Sequence, residues 1–224
     1  AMIHVRQNGA FKSLLTFIEQ PDDDMLERLG YDPEGALYKM YNPFTFGNRL
    51  VEKKTRLWEG NQDLIDVVAG CQLSGQDLDE FLFDNIDIPA VISYLAATCL
   101  INDNDHVNKN YYMYRDSDGD KEWMMIPWDK DLTLGRNYAP STGGVLSDQM
   151  FADIDPYCHP LFGDRNHQKI DGGWHRLIDA IYRNPRTQQM YVRRLWSVME
   201  EQLQPPNTPA SDLKFENRIN ELQS

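Results

Sequence analysis

The chain has 224 residues, with 35 Asp or Glu against 22 Lys or Arg, so its net charge is −13. That surplus excludes a duplex nucleic-acid binder, which needs a basic face to displace counterions, and it excludes docking on anionic lipid. No run of about 18 uninterrupted apolar residues exists to span a membrane, and three widely spaced cysteines without a CxxC predict free, buried thiols rather than a disulfide framework or zinc site.

The first element is expected to be a β-hairpin. Asn8-Gly9 is its turn, because a two-residue hairpin loop needs positive φ at both positions. The arm from Phe11 to Ile18 is mostly apolar and is expected to be buried. Asp22, Asp23 and Asp24 follow Pro21 and place acids at the positive end of a helix dipole, so a helix starts there. Tyr31 to Gly35 reads as a turn, Leu37 to Met40 as a short strand, and 41–60 as irregular. Leu64, Val67, Val68 and Cys71 recur at helical spacing. Ser74-Gly75 ends that unit, and Gln76 to Phe83 is a further short helix. Asp87 caps a helix with Pro89 in its first turn, and its apolar content from Val91 to Ile101 predicts a central, buried position.

An aromatic strand, NYYMYRD, then pairs with KEWMMIPW across a turn at Ser117-Asp118-Gly119-Asp120. The stretch 136–173 reads as loop. The remainder is helical: Val192, Leu195, Trp196, Met199 and Leu203 form one apolar stripe, and Ser211 caps a last helix. Hairpins and helices in separate runs make the fold class α+β.

Eight acids fall between residues 103 and 131. Those in the hairpin turn read as solvated turn formers. An EF-hand starting at Asp116 fails, because Gly119 falls at position four instead of six. Asp105 and Asn110 form an Asp-x4-Asn just after the buried helix, and I-P-W-D-K-D follows across one hairpin. Phosphoryl-transfer sites use such parts in this order: a base for the hydroxyl proton, an amide holding magnesium, and an aspartate at a strand end holding the metal. Mg²⁺ asks for one or two carboxylates beside phosphate oxygens and waters. Asp129 and Asp131 are two apart and point to the same side in extended backbone.

The segment NKNYYMYRDSDGDKEWMMIPWDKDLTLG closely resembles the CotH kinase family, named after a bacterial spore-coat protein. VRQNGAFKSLLTFIEQ, GALYKM and DIPAVISYLAATCLINDND fit the same family, so the resemblance runs from about residue 5 to 136. It implies an atypical protein-kinase-like fold and transfer of the γ-phosphate of ATP, with Mg²⁺ or Mn²⁺, to Ser or Thr of surface or spore-coat proteins. It implies an extracytoplasmic, cell-surface or spore-coat location.

Carried over by position, the resemblance makes Asp105 the base, with Asn110, Asp129 and Asp131 around the metal. Glu19-Gln20 becomes the hinge offering backbone hydrogen bonds to adenine, and Lys39 a candidate for approaching the phosphates. Lys12, on a strand at the wrong place in the order, is expected to be solvated. Residues 1–224 are expected to form one kinase domain, with 1–20 a small-lobe hairpin and hinge and 21–224 the large lobe. The glycine-rich loop, strand lysine and helix glutamate belong before residue 5 in that register, so the domain is expected to be N-terminally incomplete. Two other readings compete: a non-catalytic coat or adhesion module of the same fold, and a calcium-stabilised extracellular domain with metal at Asp116 to Asp120.

Overall fold

A computed structural model describes residues 2–103, 109–130, 133, 136–138, 146–148 and 175–223. The chain opens with β1 (Met2–Gln7) and β2 (Ala10–Thr16), paired antiparallel. Asn8 at φ 53° and Gly9 at φ 81° make the expected turn. The burial expected for this arm does not hold. Phe11, Leu14, Leu15, Phe17 and Ile18 are exposed, because among the described residues the hairpin's extensive packing is between its own two strands.

Helix α1 (Asp23–Leu29) is capped by Asp22, whose carboxylate accepts from the Met25 amide at 3.3 Å, and ends at Gly30 in the left-handed region. A four-stranded antiparallel sheet follows in the order β4-β3-β5-β6. It is built from β3 (Ala36–Met40), β4 (Val51–Lys53), β5 (Tyr111–Arg115) and β6 (Trp123–Pro127). Strand β4 lies inside the stretch expected to be irregular.

Both faces of this sheet are covered, which explains why β5 is buried at four consecutive positions instead of alternating. Leu37, Tyr112 and Tyr114 pack against Met25 and Leu26 of α1. Tyr38, Met40, Tyr111, Met113, Trp123 and Met125 face the main core. That core is supplied by α2 (Gln62–Gly70), α3 (Gly75–Asn85), α4 (Ile88–Leu100), α5 (Arg176–Arg183) and α6 (Pro185–Gln202). The central helix α4 is capped by Asp87, which accepts from the Ala90 amide at 2.9 Å. Ser74 precedes α3 and begins that unit instead of ending the previous one.

Helix α6 packs on α4 through Tyr191, with Leu195 and Val198 partly buried beside the core. The expected stripe splits accordingly, since Val192, Trp196 and Leu203 are exposed. Helix α7 (Lys214–Gln223) follows a 3-10 turn at Ala210–Asp212. Ser211 sits inside that turn and does not cap α7. Between the sheet and α5, the described residues form a short pair, β7 (Arg136–Tyr138) with β8 (Leu146–Asp148). Neither Cys71 nor Cys99 is in a disulfide; Cys71 is buried, which pushes its thiol up to about 12, and Cys99 is partly buried.

Candidate active site at the ends of β5 and β6

The site is built where the central hairpin closes toward α4. Asn110 immediately precedes β5 and Trp128 follows β6, and the Trp128 amide donates to the Asn110 carbonyl at 3.1 Å. This bond adds one rung beyond the Tyr111–Pro127 pair. It makes Asn110 and Asp129 strand-end neighbours, although 18 residues separate them along the chain. Both residues occupy the left-handed region, Asn110 at φ 64° and Asp129 at φ 52°. Asn and Asp tolerate that region best among residues with a Cβ. Asn110 is buried and Asp129 is exposed. The amide is thus fixed in the fold while the carboxylate faces outward.

Lys39 lies on the same sheet, opposite Tyr112 of β5, which in turn faces Ile126 of β6. Its ammonium sits 5.4 Å from the Trp128 ring and 5.4 Å from the Tyr41 ring. The Trp128 ring meets Tyr112 edge-on at 5.5 Å. Lys39 therefore reaches the residue directly before Asp129, held by its attraction to the ring faces. Glu52 stands nearby. The bond from Lys54 holds its carboxyl below the usual range, with the Tyr41 hydroxyl and the Lys39 charge adding to the effect.

The remaining expected site residues are placed as follows. Glu19 and Gln20 lie in the linker between β2 and α1, and the Glu19 carboxylate is gripped by the Arg28 guanidinium, which lowers its pKa. No described contact brings this linker to Asn110 or Asp129. Asp105 and Asp131 fall outside the described residues. His175 is buried, accepts from the Ile178 amide at the start of α5 and stacks on Phe44 at 5.8 Å. Lys12 is exposed on β2.

The hairpin acids do local work. The Asp116 carboxylate accepts from the Gly119 amide at 2.7 Å, that of Asp120 from the Glu122 amide at 3.0 Å, and Asp118 pairs with Arg56 at 3.2 Å. Among the described residues no three His, Cys, Asp or Glu side chains converge on a metal-sized space. Asn110 and Asp129 alone offer one amide and one carboxylate oxygen. That hard-oxygen pair suits Mg²⁺ or Mn²⁺, which complete their shells with water and phosphate oxygens.

Two residues that the sequence did not single out stand beside this pair. Asp103 is fully buried just past α4, and the Lys130 ammonium lies 2.9 Å from its carboxylate. The contact is an ion pair without an aligned hydrogen bond between these two atoms. No local signal marked the pair, because Asp129 takes left-handed backbone and strand alternation does not run through it to Lys130.

Asn110 and Asp129 thus stand at neighbouring strand ends in a mixed α+β fold. A family model described as CotH kinase protein matches residues 2–223, and the chain belongs to that family. The match extends through the helical tail, well beyond the 5–136 stretch that carries the sequence resemblance. No curated protein matches the chain.

Proposed function

We propose that this chain is an atypical, kinase-like phosphotransferase that moves the γ-phosphate of ATP to a Ser or Thr hydroxyl of a surface or coat-type protein. The observation that supports this reading is the Asn110–Trp128 rung, which makes Asn110 and Asp129 strand-end neighbours in a chain of this family. Asn110 and Asp129 would hold the divalent metal with Asp131, and when bound the metal supplies positive charge that neutralises the phosphate oxygens. Asp105 takes the proton of the attacking hydroxyl. The hydroxyl oxygen bonds to the γ-phosphorus, the bond to the β–γ bridging oxygen breaks, and ADP leaves with that electron pair.

Lys39, steadied over Trp128, supplies charge toward the phosphates, and the backbone of Glu19-Gln20 bonds adenine. In this reading 1–20 and 21–224 are the small-lobe and large-lobe portions of one kinase-like domain. The location is extracytoplasmic, at a cell surface or spore coat; among the described residues no helix is long and apolar enough to cross a membrane.

The test is transfer of label from γ-labelled ATP to protein with Mg²⁺ or Mn²⁺. The wild-type chain is expected to label, and Asp129→Asn is expected to lose at least about 100-fold, because the variant removes the charge that binds the metal. Equal labelling by the variant would overturn the site assignment. A wild-type chain that neither labels protein nor binds ATP would favour the non-catalytic coat or adhesion module.

A further inference from the structure

The loop that carries Asp129 is tied to α4 by a buried charge pair. Lys130 follows Asp129 directly, and only 18% of its side chain is exposed, against none of the Asp103 side chain. Asp103 is itself fixed to the helix end, its amide donating to the Thr98 carbonyl at 3.0 Å. The Lys130 ammonium also lies 5.6 Å from the ring of Tyr94, one helical turn before Thr98 on α4. The turn after β6 therefore has one side chain in solvent, Asp129, and the next inserted under it against the helix. A lysine buried at this point is costly unless it is paired. The pairing fixes the loop's depth and rotation, and with them the direction of the carboxylate at its tip.

We propose that Asp103 and Lys130 are positioning residues for Asp129, their buried ion pair pinning the turn after β6 to the end of α4 so that the carboxylate stays beside Asn110. Asp103 also stands two residues before Asp105 in the sequence. The inference rests on that reading of Asp129 as the metal carboxylate.

The test compares the wild-type chain with Lys130→Arg, Lys130→Met and the double variant Asp103→Asn/Lys130→Met, each well below its melting temperature. Binding is followed by titrating Mn²⁺ in the presence of ATP. Hydrogen exchange of the Trp128 to Lys130 amides is followed without either. Lys130→Met is expected to bind Mn²⁺ roughly 10–100-fold more weakly, the range for removing an outer support of a metal ligand. Its loop amides are expected to exchange faster, and Lys130→Arg to restore both readouts. The double variant carries no unpaired buried charge, so it is expected to fold even where the single does not and still to bind weakly. Wild-type affinity and exchange in the folded double variant would overturn the inference while leaving the metal reading intact. Absence of Mn²⁺–ATP binding by the wild-type chain would instead remove the metal reading, and this inference with it.

Discussion

Glu122 shows how a single acid can be tolerated against its own preference. Burial first, and then the nearby charges of Asp120 and Asp87, raise its pKa. A raised carboxyl binds its proton more tightly in the folded than in the unfolded chain. Stability is therefore lost as pH rises from the ordinary glutamate range, about 4.3, through the raised native value. Glu122→Gln is accordingly expected to raise the melting temperature at pH 7, by less than about 1 kcal/mol of stability given the screening at this partly exposed place. The gain should vanish below about pH 4, where the glutamate is neutral in both states. Melting curves across that range check it, and a gain that persists at acid pH would show a packing effect instead. Asp116 and Asp120 were legible in the sequence as turn formers because Gly119 sits between them. The Glu122 shift was not, because it depends on Asp87 arriving from the start of α4.

At the scale of elements, the loop between β3 and β4 is held closed by one side chain. The Asn42 carboxamide accepts from the Thr45 and Phe46 amides and donates toward the Phe46, Arg49 and Leu50 carbonyls. The Tyr111 hydroxyl bonds the Asn42 carbonyl at 2.7 Å, tying this loop to the strand that follows Asn110. The loop then lies so close to α2 that a Cβ on Gly47 would stand 2.5 Å from the Ile65 amide nitrogen. Backbone cannot yield as a flexible side chain can. Gly47→Ala is therefore expected to cost about 1–3 kcal/mol, the usual range for overpacking, visible in a denaturant titration; an unchanged midpoint would mean that the loop moves freely off α2. The helices at Asp22 and Asp87 were readable from their caps, and the Asn8-Gly9 hairpin from its turn. The exposure of the hairpin was not readable, because apolar content does not say what an element packs against.

Across the whole molecule, the C-terminal helices are bonded back to the first helices of the core. The Asp79 carboxylate on α3 accepts from the Asn184 amide at 2.9 Å and from the Arg186 guanidinium at 2.6 Å. The Asn184 bond, followed by Arg186, holds the Asp79 carboxyl below its usual range. Such a group contributes stability that is present above the ordinary aspartate value, about 3.9, and is lost as pH falls through the lowered native value. Asp79→Asn is expected to lower stability at pH 7 and to flatten acid unfolding below about pH 4. An unaltered acid limb in a pH-dependent melt would show that the contact carries no linkage. The net charge of −13 is equally uninformative about all of these acids. Composition excluded partners, and the IPWDKD spacing pointed to the strand-end site. The Asp103–Lys130 pair needed the fold, because the two residues lie on opposite sides of a hairpin.

The Arg183 guanidinium also donates to the Cys71 carbonyl at 2.8 Å, across 112 residues of chain. During synthesis at about 5–20 residues per second, the segment that supplies this contact follows α2 out of the ribosome by roughly 6–22 s. For that interval the apolar side of α2 and α3 has no α5 to cover it. The order of synthesis thus leaves this part of the core open to chaperones, or to a neighbouring nascent chain, before the fold can close.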